Sequence, residues 1–290
     1  MSDIKSVSYS QFSQWVQCPW KWKLNYVDDM REFHGNIFTL FGSAAHEVIQ
    51  EYLTIMYTKT AKDADALDLN AMLLASMKEQ FIDITKSSSG VEPCTQDEMV
   101  EFYYDGVTIL DYLKKNRNKY FSKRGYELLG VEIELKHQVS DHISFRGFID
   151  IAIKDTLRNR IKIIDIKTST VGWNKWMKQD KVKSDQLLLY KQFYSKQYNV
   201  PLNSIDVEFF IVKRKLYEKV DFPQKRIQIF APANGTPSIN KTMIQFNSFL
   251  DDAFIDGEYK TTGTYRKEPS AKNCKWCEFK TKPELCDRKR

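Results

Sequence analysis

Asp165 and Lys167 stand two apart in the run Ile161-Lys-Ile-Ile-Asp-Ile-Lys167. Side chains alternate across a strand, so this acid and this base face the same way. The surrounding isoleucines predict a buried strand, where a charge must be paired or bound to something. Asp150 ends the run Phe145-Arg-Gly-Phe-Ile-Asp150 on a predicted neighbouring strand and is placed to face Asp165. Two facing carboxylates repel unless a cation lies between them, and oxygen donors favour Mg²⁺ or Mn²⁺. The Ile166 carbonyl, pointing sideways from the strand, adds another oxygen. An ion held there orients water and offsets charge developing on a phosphate, with Lys167 assisting. A plain Asp165–Lys167 salt bridge is the competing reading. Glu132 and Glu134 share one face of an adjacent strand, so one of them is placed beside the metal or at a second one.

The elements that position these residues follow from periodicity. Ser8 or Ser10 caps a short helix carrying Phe12, Trp15 and Val16. Residues 43–57 form a strong helical stripe through Ala44, Ala45, Val48, Ile49, Tyr52 and Met56, and His46 projects from it. Residues 60–121 read as a helical insertion, interrupted by a loop at Lys86-Ser-Ser-Ser-Gly90. Period-two patterns give strands at 128–135 and 143–153 around a turn at 137–142, then at 161–167. A helix at 183–198, strands at 205–212 and 226–230, and a helix at 243–254 complete the order. Strands and helices in this order predict an α/β domain spanning residues 1–290, with a mixed central sheet flanked by helices.

The five cysteines are Cys18, Cys94, Cys274, Cys277 and Cys286. The odd count and the absence of an apolar signal core argue against a secreted disulfide scaffold. They point to an intracellular setting, in cytoplasm or nucleoid, or to a viral protein acting inside a host cell. Cys274-Lys-Trp-Cys277 is a CxxC, and Cys286 is near enough for three thiolates to wrap one centre. The fourth ligand is Cys18 or Cys94, and Cys18, beside a helix in Val-Gln-Cys-Pro-Trp, is preferred. Four thiolates suit either structural Zn²⁺ or a 4Fe–4S cluster, and spacing does not separate the two. The segment 271–290 is then expected to pack with 8–26.

The formal charge is +6, a small basic surplus whose distribution matters more than its size. Residues 160–183 carry Arg160, Lys162, Lys167, Lys175, Lys178, Lys181 and Lys183 against Asp165 and Asp180, and the last 25 residues hold nine basic and four acidic side chains. Such patches suit phosphate contacts. Trp15, Trp20, Trp22, Trp173 and Trp176 are candidates for stacking on unpaired bases, with Trp173 and Trp176 foremost. Lys21 and Lys23 add candidate phosphate contacts. No apolar run is long enough to span a membrane.

Four segments together carry a resemblance: Gly42-Ser-Ala-Ala-His46, Gly147-Phe-Ile-Asp150, Asp165-Ile-Lys167 and Gln186-Leu-Leu-Leu-Tyr190. In kind and order they resemble PD-(D/E)XK nucleases of the RecB-like group, which includes CRISPR-associated and helicase-linked exonucleases. The literal "PD" pair is missing, because Ile149 precedes Asp150. The resemblance implies a restriction-endonuclease-like sheet. It implies metal ligation by His46, Asp150 and Asp165, catalytic assistance by Lys167, and Gln186 and Tyr190 near the DNA. A subset of the group carries one early and three late cysteines around a 4Fe–4S cluster, which favours iron–sulfur over zinc at Cys18, Cys274, Cys277 and Cys286. The implied activity is a Mg²⁺- or Mn²⁺-dependent DNA exonuclease acting on single strands or ends, in repair or recombination. The alternative is a nucleic-acid-binding or structural subunit of a helicase or recombination complex. No GxxxxGK(S/T) phosphate loop is present, so any motor is a separate protein.

Overall fold

Helical and period-two patterning resolve into one mixed sheet with helices on both faces. The computed structural model describes residues 4–31, 35–263 and 265–287. In chain order the elements are β1 (Lys5–Val7), α1 (Tyr9–Gln17), α2 (Pro19–Tyr26), α3 (Ile37–Thr58), α4 (Ala61–Asp65), α5 (Leu69–Ser87) and α6 (Gln96–Tyr120). There follow β2 (Tyr126–Ser140), β3 (Ile143–Asp155), β4 (Arg160–Ser169), α7 (Lys175–Gln179), α8 (Lys181–Tyr198), β5 (Ile205–Lys213) and β6 (Ile227–Phe230). Helix α9 (Thr236–Ala253), a small hairpin of β7 (Phe254–Ile255) and β8 (Glu258–Tyr259), and α10 (Ala271–Cys274) end the chain. No described helix is long and apolar enough to cross a membrane.

Several boundaries differ from the sequence expectation, each for a local reason. Helix α3 begins at Ile37 rather than 43, because Asn36 and Thr39 form a reciprocal capping box. Helix α9 begins at Thr236 rather than 243, since Pro237 is tolerated in a first turn where its missing N–H has no helical partner. Strand β2 continues to Ser140, which leaves a much tighter turn than 137–142. Strand β1 was not expected at all. Three residues carry no measurable period, and it forms by parallel pairing with distant β3.

The sheet runs β1-β3-β4-β5-β6, with β2 also on β3. The β4–β5 pairing is parallel and crosses over through α8, whereas β2–β3, β3–β4 and β5–β6 are antiparallel. One face packs on α3, α5 and α6 through Ile151, Ile153, Ile164, Ile166 and Phe210. The other packs on α1, α8 and α9 through Phe145, Ile149, Ile163, Phe209 and Ile211. Trp22 of α2 is fully buried in that second core.

Two features of this sheet create the site. Strand β2 lines one edge of β3 along its length, so β1 and β4 share the other edge. There β1 pairs with 143–145 and β4 only with 151–155, so residues 146–150 face a fork between strands. Strand alternation also breaks at this level. Ile149 and Ile151 pack in opposite cores although two apart, and so do Ile133 and Val131 opposite them on β2. Residues two apart on a regular strand share a face. Asp150 sits at the break, at the mouth of the fork.

Candidate active site

Asp150 takes its position from the fork. Its Oδ2 accepts a hydrogen bond of 2.6 Å from the Ile166 N–H, a main-chain donor beyond the end of the β3–β4 ladder. Asp165 and Lys167, on β4, project toward α8, and their neighbours Ile164 and Ile166 toward α3. The Lys167 ammonium lies 2.8 Å from Asp165 Oδ2. That contact lacks hydrogen-bond angles, so this carboxylate oxygen is buried with an ion-pair neighbour but no hydrogen-bond donor. His46 reaches in from α3, its Nδ1 3.6 Å from Asp150 Oδ2 and its ring within reach of the Ile166 carbonyl.

Burial sets the protonation of this group. It pushes Asp165 up to about 6, with Asp150 adding to the rise and Lys167 opposing it. Burial likewise raises Asp150 to about 6 against the pull of Lys167 and the Ile166 N–H. Burial works against the charged form of Lys167, but Asp165 and Asp150 outweigh it and hold the ammonium above its usual range. His46 is pushed down, first by burial and then by Lys167, against the upward pull of Asp165. The His46–Asp150 contact is therefore no salt bridge at neutral pH. A neutral imidazole offers a lone pair, the form that binds metals.

On α8, Gln186 and Tyr190 lie one turn apart on the same face, and Gln186 Nε2 donates to the Tyr190 hydroxyl at 3.3 Å. The Tyr190 ring is buried beside Asp165, Lys167 and Asp150, and burial pushes its hydroxyl up to about 12. Gly147 explains its place in the motif here: a Cβ would meet the Tyr190 ring at 2.9 Å and Phe145 at 3.2 Å. Gly147→Ala is expected to displace Tyr190 at a stability cost of about 1–3 kcal/mol and to slow turnover. Denaturant melts with a parallel rate measurement check this; an alanine variant with unchanged melting and rate would contradict the close packing.

The donor set fits a hard divalent cation. Two carboxylates, a neutral imidazole and the Ile166 carbonyl converge on one fork, and the buried Asp165 Oδ2 has only the poorly angled Lys167 ammonium beside it. A salt bridge to Lys167 is present, but alone it leaves Asp150 and His46 unexplained. Among the described residues no three His, Cys, Asp or Glu side chains already converge closely enough to hold an ion. Loading would therefore require the side chains to adjust.

The chain ends meet on the far side of α2. Cys18, Cys274, Cys277 and Cys286 line one concavity with Trp20, Leu24 and Phe279. All are free thiols, and Cys94 lies apart, buried in the α3–α6 core. The seam is hydrogen-bonded: Trp20 Nε1 donates to the Leu285 carbonyl at 3.0 Å, Asn273 Nδ2 to that of Gln17 at 2.7 Å, and Asn25 Nδ2 to Glu278 at 2.9 Å. Lys21 pairs with Glu278 at 2.8 Å. Four thiols in one concavity, which Lys21, Lys267, Glu268 and Asn273 also line, form a donor set that fits a thiolate-bound centre.

Other expectations need correction. Trp22 is core, and Trp173 is buried against Phe209 and Phe230, so neither offers a stacking face. Trp176 is 77% exposed and remains open. Arg160 and Lys162 are engaged by Asp206 and Glu208, and Lys21 and Lys23 by Glu278 and Asp28, which removes them from the free basic surface. Glu134 pairs with Arg146 at the surface and does not join the site. Residues 288–290 of the basic tail lie outside the described residues. Sequence reading missed Tyr9, whose buried hydroxyl lies near Asp165 and donates to the Val182 carbonyl at 2.7 Å. It also missed Gln50, one turn beyond His46, the one amide side chain among the buried positions of α3.

The family model for the PD-(D/E)XK nuclease superfamily matches residues 6–282. The chain belongs to this superfamily. The four segments singled out in the sequence lie within that match and supply the fork, the β4 pair, the α3 histidine and the α8 face. Among solved structures, the nuclease is similar to a candidate exonuclease from Eubacterium rectale, with 12% identity, a TM-score of 0.49, and coverage of 84% of this chain and 79% of that one. Protein VC1899 from Vibrio cholerae shares 12% identity at a TM-score of 0.23, over 71% of this chain and 48% of that one. No curated protein matches the chain.

Proposed function

We propose that this nuclease is of the RecB-like kind and hydrolyses DNA phosphodiester bonds from an end of a single strand, using Mg²⁺ or Mn²⁺. The observation that carries the reading is the fork, which gathers Asp150, Asp165, His46 and the Ile166 carbonyl beside Lys167. Those four donors would hold the ion, which when bound supplies Lewis acidity toward water and phosphate. Lys167 keeps its proton and presents positive charge where charge develops on the phosphate. Tyr190 also stays protonated; its hydroxyl oxygen accepts from Gln186, which leaves its O–H to donate to the phosphate. Tyr9 packs on the α1 side near Asp165, its hydroxyl donating to the Val182 carbonyl.

Exposed Trp176 on α7, beside Lys175 and Lys178, supports a single-stranded substrate, since an indole stacks on any unpaired base. Lys178, Lys181 and Lys241 line one concavity beside the start of α9, which suits backbone phosphates. Cys18, Cys274, Cys277 and Cys286 would hold a 4Fe–4S cluster with a clamping role at the joined chain ends, structural Zn²⁺ being the other centre the thiols fit. A helicase or recombination partner would be a separate protein.

End dependence tests the substrate. With Mg²⁺ or Mn²⁺, end-labelled linear single strands should be degraded while covalently closed single-stranded circles persist. Circles cut as fast as linear strands would refute the exonuclease reading but leave the nuclease intact.

A further inference from the structure

Glu132 has a backbone that no turn explains. Its φ is +47°, and among the described non-glycine residues with positive φ it alone lies inside a strand. The left-handed conformation costs a side-chain-bearing residue about 1–2 kcal/mol and persists only where the surroundings enforce it. Glu132 stands opposite Asp150, between the register pairs Val131–Ile151 and Ile133–Ile149. Both strands switch faces at this level. The strain therefore coincides with the break that brings Asp150 to the fork.

Gln50 holds the arrangement. Its side chain is buried, and its Nε2 donates to Glu132 Oε1 at 2.6 Å and to the Asp150 carbonyl at 3.2 Å. Gln50 follows His46 by one helical turn on α3, so one face of that helix carries both the imidazole and this clamp. The Glu132 carboxylate is close enough to act electrostatically on both His46 and Asp150. Glu134, two residues on, is tied to Arg146 at the surface instead.

We infer that Glu132, held by Gln50, is a positioning residue of the metal site: it fixes the Asp150 main chain opposite His46 and adds negative charge around the cation. The inference rests on the divalent-metal reading given above. Groups that hold metal ligands in place contribute about 10–100-fold to metal affinity.

Calorimetric titration with Mn²⁺ tests this without reference to turnover. Glu132→Gln keeps an acceptor for Gln50 but removes the charge, and should weaken Mn²⁺ binding by about 10-fold or more. Its melting in EDTA should stay within roughly 2 °C of wild type. Glu132→Gly, which the left-handed backbone accepts without strain but which leaves the Gln50 amide one acceptor fewer, should show at least the same loss of affinity. Glu134→Gln removes an equal charge from the same strand and should bind Mn²⁺ like wild type. Undiminished affinity in Glu132→Gln and Glu132→Gly would overturn the inference, as would an equal loss in Glu134→Gln. A wild-type protein that takes up no Mn²⁺ would instead refute the metal reading itself, and this inference with it.

Discussion

Asp165→Asn is expected to make the metal-free protein more stable while removing its catalytic capacity. Asp165 is held near 6 in the fold, above its ordinary 3.8, and Asp150 is raised in the same way. The folded protein thus binds protons more tightly than the unfolded chain. The sign follows: the stability contribution is fullest below about pH 4, falls as pH rises toward 6, and stays lost above it. At pH 7.5 the ionised Asp165 costs on the order of 3 kcal/mol relative to its neutral form. Asparagine mimics that neutral form, so the variant should melt roughly 2–6 °C higher in EDTA at pH 7.5. The difference should narrow as pH is lowered toward 5. Added Mn²⁺ should raise the melting temperature of wild type and not of Asp165→Asn. A variant that melts lower than wild type in EDTA at every pH would show that Asp165 serves the fold rather than an ion.

The second large effect concerns the joined chain ends. If the four thiols hold the proposed 4Fe–4S cluster, Cys277→Ser should abolish it, visible as loss of brown absorbance and of iron after anaerobic purification. Cys18→Ser, from the opposite end of the sequence, should do the same, because both thiols line one concavity. Thiolate-bound metals contribute free energies large enough to fold small domains outright. Loss of about 3–4 kcal/mol at this seam lowers melting by roughly 5–7 °C in a chain of this size. Proteolysis should then begin in residues 266–287, where few apolar contacts remain apart from Phe279. Cys94→Ser, in the α3–α6 core, should keep its iron. Retention of the full complement by Cys277→Ser would contradict the assignment, and stoichiometric zinc in a colourless protein would replace cluster by zinc.

The chemistry-bearing residues were readable because each lies on an element with a strong local period. The isoleucine run around Asp165 declares a buried strand, the alanine-rich stripe of α3 declares the helix of His46, and Gln186 and Tyr190 are one turn apart. The fork was not readable. It depends on where β1 stops and β4 starts along one edge of β3, a non-local register that no local pattern encodes. Glu132 shows the same limit, since simple alternation puts Glu132 and Glu134 on one face and the left-handed backbone separates them. Trp173 follows a strand in a polar segment and so looked exposed. Phe209 and Phe230, which bury it, come from β5 and β6. Tyr9 offered no signal, because its relation to Asp165 exists only once α1 packs beside α8.

The most direct measurement is Mg²⁺- or Mn²⁺-dependent hydrolysis of end-labelled DNA by wild type, Asp165→Asn and Lys167→Ala, purified side by side with EDTA controls. The fork account predicts metal-dependent degradation by wild type and a loss of about 10³-fold or more in each variant. Equal, metal-independent degradation by all three proteins would contradict it.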